Sequence, residues 1–263
     1  MSITTTGDHL IHYEALGRGE PLIFIHGWFG SWRYWWASMQ ALSTHYRVFA
    51  FDLWGYGDSS KAIEKYTFDD YVHMLDQFVD RLGIVQPVNV VGHALGAAVG
   101  LRYATEHPEA IERLATVALP IQGEYINPRL TDSDTDSLFN WALGRQNSYP
   151  EVESELRKTD NVAVNKVAQE LLNCNFALDL DNASCPILLI FGDEDPVIEQ
   201  PSGDYHHFQK PGNNRAYVSL QACNHFPMLE HTAKFNRLIL DFLRANHDLQ
   251  DLSPKEYWKR RTH

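Results

Sequence analysis

The stretch Val88-Asn89-Val90-Val91-Gly92-His93-Ala94-Leu95-Gly96-Ala97-Ala98-Val99-Gly100 constrains the fold more than any other part of this chain. A β-branched run suited to a buried strand passes, with no loop between, into small residues suited to a close-packed helix. Gly92 and Gly96 flank the junction, and glycine suits a tight turn and close backbone approach. Ala94 occupies that junction. The expected fold class is α/β, with a mostly parallel sheet and crossover helices.

The rest of the chain repeats the pattern. Short apolar runs predict strands at His9–Glu14, Pro21–Ile25, Arg47–Phe51, Val88–Val91, Leu114–Ala118, Ile187–Phe191 and Ala216–Leu220. Between them Thr67–Leu82 reads as an amphipathic helix capped by Thr67, with Phe68, Tyr71, Val72, Leu75, Phe78, Val79 and Leu82 on its apolar stripe. Leu95–Thr105 and Thr232–Ala245 are further helices. The alternation breaks between residues 119 and 183, which hold Pro120, Pro128 and Pro150, the acidic Asp132, Asp134 and Asp136, and helical periodicity from Pro150 to Leu178. That block is too long for a loop. It predicts a helical cap inserted into a core made of residues 1–118 and 184–263, placed over the carboxyl ends of the strands, where open α/β sheets bind ligands. Residues 248–263 form an expected tail ending in Lys259-Arg260-Arg261, read as a solvated terminus.

At 263 residues and 44% hydrophobic content, the chain can fill one large core plus such an insertion. The 22 Lys and Arg against 34 Asp and Glu give a net charge of −12 with no basic stripe, which argues against nucleic acid as a partner. Cys174, Cys185 and Cys223 match neither a disulfide framework nor a metal-ligand spacing and point to a reducing, cytoplasmic setting. The first residues lack the charged and apolar regions of a signal peptide, and no run reaches the roughly 18 apolar residues of a membrane span.

Four stretches, each after a predicted strand, carry chemistry-bearing residues. They are His26-Gly27-Trp28-Phe29-Gly30, then Gly92-His93-Ala94-Leu95-Gly96, then Gly192-Asp193-Glu194-Asp195-Pro196-Val197, and finally Asn224-His225-Phe226-Pro227-Met228-Leu229-Glu230. Acyl transfer by a hydroxyl nucleophile needs such a set: a base within reach, a carboxylate to orient the base, and donors for the oxyanion.

In this order the four stretches resemble the α/β-hydrolase family over nearly the whole chain except the cap. Its nucleophile elbow, Gly-x-Ser-x-Gly, is matched with only the central serine missing, which implies a strained turn at position 94 and glycines at 92 and 96 where a β-carbon would collide with neighbouring backbone. The resemblance implies nucleophile, acid and histidine in that chain order. It places Ala94 at the nucleophile position, Asp195 as the acid, with Asp193 and Glu194 as lesser candidates, and His225 as the base. It implies oxyanion donors at the backbone N–H groups of Trp28 and Leu95, the latter at a helix N-terminus. A further landmark, Asp52-Leu53-Trp54-Gly55-Tyr56-Gly57-Asp58-Ser59, is similar to the family's Asp-x-Arg-Gly-x-Gly-x-Ser turn, with Trp54 in the arginine's place. That exchange is expected to change local packing rather than reaction type.

Other residues read two ways. The cluster Trp28, Phe29, Trp32, Tyr34, Trp35 and Trp36 supplies core aromatics, while Trp28 and Phe29 also lie on the oxyanion loop. Phe29, His93, Phe139, Trp141 and Phe226 are the candidate substrate-facing residues. His26 and His93 read equally as packing or turn-fixing groups that flank the site. His206-His207 has no ligand cluster around it, and Ser59 and Ser60 read as turn residues rather than nucleophiles.

Three origins fit Ala94. It is an engineered replacement of serine that disables the enzyme, or the natural residue of a non-catalytic binding member, or a replacement of the aspartate that dehalogenases and epoxide hydrolases use. The last fits least, because Leu95 and Phe29 stand where those relatives carry tryptophan and proline. An intact Asp195, His225 and His26-Gly27 favour recent loss of a serine. The resemblance implies hydrolysis of a carboxylic ester or related acyl bond of a small apolar molecule, with no metal, nucleotide or flavin, and it leaves the oligomeric state open.

Overall fold

The computed structural model describes residues 2–131, 135–143, 148–201, 214–245, 249 and 252–254. Among these, eight strands form one sheet: β1 Ser2–Thr6, β2 His9–Leu16, β3 Pro21–Ile25, β4 Arg47–Phe51, β5 Val88–His93, β6 Ile111–Val117, β7 Ile187–Gly192 and β8 Arg215–Leu220. Their spatial order is β1-β2-β4-β3-β5-β6-β7-β8. The first two strands pair antiparallel, β2 runs antiparallel to β4, and every pairing from β4 to β8 is parallel.

Burial explains the order. In β3 and β5 every residue is buried, as continuous apolar runs between helical layers must be, so they sit at the middle of the sheet. Their register aligns the strand ends: Ile25 pairs with Phe51 and with Gly92, His93 with Val117, and Gly192 with Leu220. The loops that follow β3, β4, β5, β7 and β8 therefore open on the same edge of the sheet.

Helix α1 spans Trp36–Leu42, α2 Phe68–Arg81, and α3 Leu95–Glu106. Thr67 caps α2 as expected, its Oγ1 accepting the Asp70 N–H at 3.1 Å. Helix α3 buries nine of its residues, and its small side chains let it lie against β5 and β6. The insertion between β6 and β7 holds α4 Thr135–Leu143, α5 Pro150–Leu156, α6 Asn161–Leu171 and α7 Ala177–Asn182. Helices α8 Pro227–Glu230 and α9 Thr232–Leu243 follow β8. No helix among the described residues is long and apolar enough to cross a membrane.

Three differences from the sequence reading have local causes. Strand β1, not expected, forms a hairpin with β2 through the two-residue Gly7-Asp8 loop, with Gly7 at φ +58°. Ala118 was expected to end β6, but it takes φ +50° and turns the chain out of the sheet. The periodicity from Pro150 to Leu178 resolves into separate helices, because Asp160 starts a new one by accepting the Val162 N–H at 2.9 Å. The acidic Asp132 and Asp134, His206-His207 and the basic end of the tail lie outside the described residues.

Candidate active site

Ala94 joins β5 to α3 with φ 49° and ψ −108°, a conformation that L-residues rarely adopt. Its N–H donates to the Val117 carbonyl at 2.8 Å, and its own carbonyl accepts from Ala97 and Ala98 at 3.1 Å each. The turn is thus tied to the sheet on one side and starts the helix on the other. A β-carbon on Gly92 would overlap the Gly96 carbonyl, and one on Gly96 would come 2.6 Å from the His26 carbonyl oxygen. Both contacts are with backbone, so the glycines permit the close crossing of strand, helix and the loop after β3.

Asp195 and His225 meet across the loops after β7 and β8. Asp195 Oδ2 lies 2.8 Å from His225 Nδ1, with both side chains buried. Asp195 Oδ1 accepts the N–H groups of Val197 and Ile198 at 2.8 and 3.1 Å, which aims the second oxygen at the ring. Asp193 serves elsewhere, accepting the Cys223 N–H at 3.3 Å. His225 Nε2 is buried and has no hydrogen-bond partner among the described residues. Glu230 grips the loop after β8 on either side of His225, with Oε2 on the Asn224 N–H at 2.9 Å and Oε1 on the Phe226 N–H at 3.1 Å.

Residues 26–31 close the site from the β3 side. A β-carbon on Gly27 would fall 3.1 Å from Ala94 Cβ, so this loop lies directly on the elbow. Among the described residues neither the Trp28 nor the Leu95 backbone N–H makes a hydrogen bond. The Phe29 ring stands edge-on to His225 at 5.9 Å between centroids. Phe226 packs against His225, His93, Tyr34 and Phe139, with centroids 5.1, 5.2, 5.8 and 5.3 Å away. Phe139 thereby brings α4 against the loop after β8. Trp141 does not join it: residues two apart on a helix face different ways, and the Arg129 guanidinium covers its ring at 4.9 Å.

The flanking histidines are saturated by protein groups. His26 Nε2 accepts the Leu53 N–H at 2.9 Å while Nδ1 lies 2.8 Å from the Gly27 carbonyl. His93 Nδ1 lies 2.9 Å from Tyr34 Oη and Nε2 lies 2.9 Å from the His225 carbonyl. Burial, then the neighbouring His225, holds the His93 pKa well below the ordinary histidine value. Both ring nitrogens of His93 are therefore engaged by protein groups.

A second buried pair supports the turn after β4. Asp52 is fully buried and accepts from Trp32 N–H at 2.8 Å, Asp58 N–H at 3.0 Å and His12 Nδ1 at 2.8 Å. Burial opposes charge on both partners and is the largest single influence, but the mutual hydrogen bond, the neighbouring charges and the N–H groups of Trp32 and Asp58 together outweigh it: His12 is raised and Asp52 lowered. Nothing in the spacing of the sequence had paired them. His12, Asp52 and Asp58 bring ligand-type atoms within 4.8 Å of one another, yet His12 and Asp52 are bonded to each other and Asp58 to Lys158. Ser59 Oγ donates to the Asp52 carbonyl at 2.6 Å and accepts the His12 N–H at 2.9 Å, a turn-fixing role. Trp54 is buried, with His9 edge-on at 5.7 Å and Lys65 Nζ 5.6 Å from its ring centroid.

Comparison with known proteins agrees with this architecture. The sequence profile of the alpha/beta hydrolase fold matches residues 20–157, just over half of the chain. A 2-hydroxy-6-oxo-6-(2'-aminophenyl)hexa-2,4-dienoic acid hydrolase from Metapseudomonas resinovorans is 24% identical, over 90% of this chain and 88% of that protein. A non-heme chloroperoxidase from Kitasatospora aureofaciens is 27% identical, over 92% of this chain and 99% of that protein. The crystal structure of a bromoperoxidase from Bacillus anthracis superposes with a TM-score of 0.79 at 23% identity, covering 93% of this chain and 99% of that one. With its mostly parallel eight-stranded sheet and its match to the family profile, the chain belongs to the α/β-hydrolase fold family.

Proposed function

We propose that this chain is a hydrolase of a carboxylic ester, or a closely related acyl bond, in which Ala94 stands in place of a serine nucleophile. The observation that carries the reading is the buried, unpartnered Nε2 of His225, on a ring oriented by Asp195 and packed at 4.5 Å between centroids against His93, the neighbour of Ala94. A buried imidazole nitrogen without a partner costs stability, and a serine hydroxyl at position 94 would supply that partner.

With a serine there, His225 Nε2 takes the hydroxyl proton as the oxygen attacks the acyl carbon. Asp195 keeps the other nitrogen protonated and stabilises the imidazolium. The backbone N–H groups of Trp28 and Leu95 receive the developing oxyanion. The proton then passes from His225 to the leaving alcohol, and a water deprotonated by His225 releases the acid. Phe29, Phe139 and Phe226 support an apolar acyl or alcohol part. Residues 119–183 act as the cap over this edge, with 1–118 and 184–263 as the core.

Relatives named as a dienoic acid hydrolase and a chloroperoxidase show how far one fold spreads, so the reaction is argued from the site. Loss of a triad serine lowers turnover by about 10⁶-fold, leaving roughly 10³–10⁴ over water, and the chain as it stands is expected to be nearly inert. The intact acid–base pair favours an engineered replacement. The methyl group of Ala94 itself favours a second reading, a non-catalytic ligand-binding member. Turnover of aryl esters with several acyl lengths by the Ala94→Ser protein separates them: hydrolysis that depends on His225 supports the enzyme, and a folded, inert Ala94→Ser protein supports the binder.

A further inference from the structure

Residue 93 sits between the two halves of the site, and its hydrogen bonds run in one direction only. The Gly27 N–H donates to Tyr34 Oη at 2.6 Å. Tyr34 Oη lies 2.9 Å from His93 Nδ1, and His93 Nε2 lies 2.9 Å from the His225 carbonyl oxygen. A carbonyl can only accept, so Nε2 carries the proton and donates it. In the neutral ring Nδ1 is then a bare acceptor, and the Tyr34 hydroxyl must donate to it while taking the Gly27 N–H on its own oxygen. Every donor in this relay has one acceptor, and both side chains, Tyr34 and His93, are buried.

We propose that Tyr34 and His93 form a positioning relay that ties the oxyanion loop at Gly27 to the backbone of the base His225, holding the two in register around position 94. The relay rests on the hydrolase reading given above. It connects three separate segments, the loop after β3, the end of β5 and the loop after β8. Glu230 already holds the N–H groups on either side of His225, and His93 holds the His225 carbonyl between them. Displacement of either loop would misalign an oxyanion donor or the base, and small misplacements of this kind reduce turnover strongly.

Neutrality of His93 is part of the device. Its ring centroid is 4.5 Å from that of His225, which must become an imidazolium in each catalytic cycle. Among the described residues the ionisable groups around His93 are His225, His26 and Tyr34, and no carboxylate bonds to it. A proton on Nδ1 would also face the oxygen of Tyr34 and leave the tyrosine hydroxyl without an acceptor.

The test has two arms, of which the first needs no activity. Nitrogen-15 NMR of the imidazole rings in the unaltered chain is expected to show His93 as the Nε2–H tautomer, not titrating while the protein stays folded. A His93 that carries its proton on Nδ1, or that titrates near pH 6.5, overturns the relay. In the second arm Tyr34→Phe is placed in the Ala94→Ser background. It removes one oxygen, leaving the Gly27 N–H without its acceptor and His93 Nδ1 without its donor. The expected result is a fall in kcat of about 10–100-fold with KM within threefold. The acid limb of the pH profile is expected to steepen from one proton to two, as His93 gains a free nitrogen. A purely structural tyrosine would not add that second ionisation. If Ala94→Ser turns over and Tyr34→Phe changes neither kcat nor the acid limb, the relay alone fails. If Ala94→Ser does not turn over at all, the hydrolase reading fails and takes the catalytic purpose of the relay with it.

Discussion

Asp195 Oδ2 lies 2.8 Å from His225 Nδ1, while the other oxygen of the same carboxylate is held by the N–H groups of Val197 and Ile198. The carboxylate cannot rotate away without breaking two backbone hydrogen bonds. Its role should therefore be far more sensitive to chemistry than to packing. In an Ala94→Ser background, Asp195→Asn is expected to lower kcat by about 10⁴-fold, because the amide favours the wrong imidazole tautomer. Asp193→Asn, whose side chain meets the Cys223 N–H instead, is expected to stay within threefold. Comparable losses for the two variants, measured by steady-state kinetics, would remove Asp195 from its assigned place.

Backbone strain at the elbow makes a second prediction. Ala94 is held at φ 49° and ψ −108°, a region that glycine enters without its β-carbon in the way. Ala94→Gly relieves roughly 1–3 kcal/mol of strain and costs about 0.5–1 kcal/mol through the more flexible unfolded chain. Stability in urea is expected to rise by about 1 kcal/mol. A clear fall would mean that the turn is not strained by its side chain.

The His12–Asp52 pair sets a window of pH in which the turn after β4 is best supported. His12 is raised by its bond to Asp52, so its contribution is complete below about pH 6.5 and is lost as pH rises through the raised value. Asp52 is lowered, so its contribution is present above about pH 4 and is lost as pH falls through the lowered value. His12→Asn keeps a donor for Asp52 and removes the charge. The stability gap between parent and variant is expected to be widest from about pH 4 to 6.5 and to narrow as pH rises through the raised His12 value. Denaturation midpoints across that range measure it, and a gap that widens toward alkaline pH would contradict it.

Much of this molecule was legible in its sequence, where a periodic or steric rule applied. The buried strands around the elbow, the cap of α2 at Thr67 and the collision sites at Gly92 and Gly96 all follow from local pattern. The meeting of Asp195 with His225 was expected from motif order, and the structure places them together. What escaped were pairings made by the ends of side chains across distant segments. Tyr34 was read as one core aromatic among six, because spacing says nothing about where its hydroxyl goes. His12 was read only as part of a strand, and its partner lies 40 residues away. Trp141 stands beside Phe139 among the candidate substrate-facing residues of the cap, although a two-residue step on a helix separates their faces. Strand β1 was hidden for another reason: its alternation is carried by threonines, and only the Gly7-Asp8 turn marks it.

The central claim is that position 94 is a nucleophile site from which only the hydroxyl is missing. The most direct measurement is intact-protein mass spectrometry after fluorophosphonate treatment of the unaltered chain and of Ala94→Ser, with peptide mapping of any adduct. One phosphonyl group is expected per Ala94→Ser molecule, located at position 94 and dependent on His225, and none on the unaltered chain. A folded Ala94→Ser protein that remains unlabelled, or a label that appears elsewhere and on both forms, would contradict it.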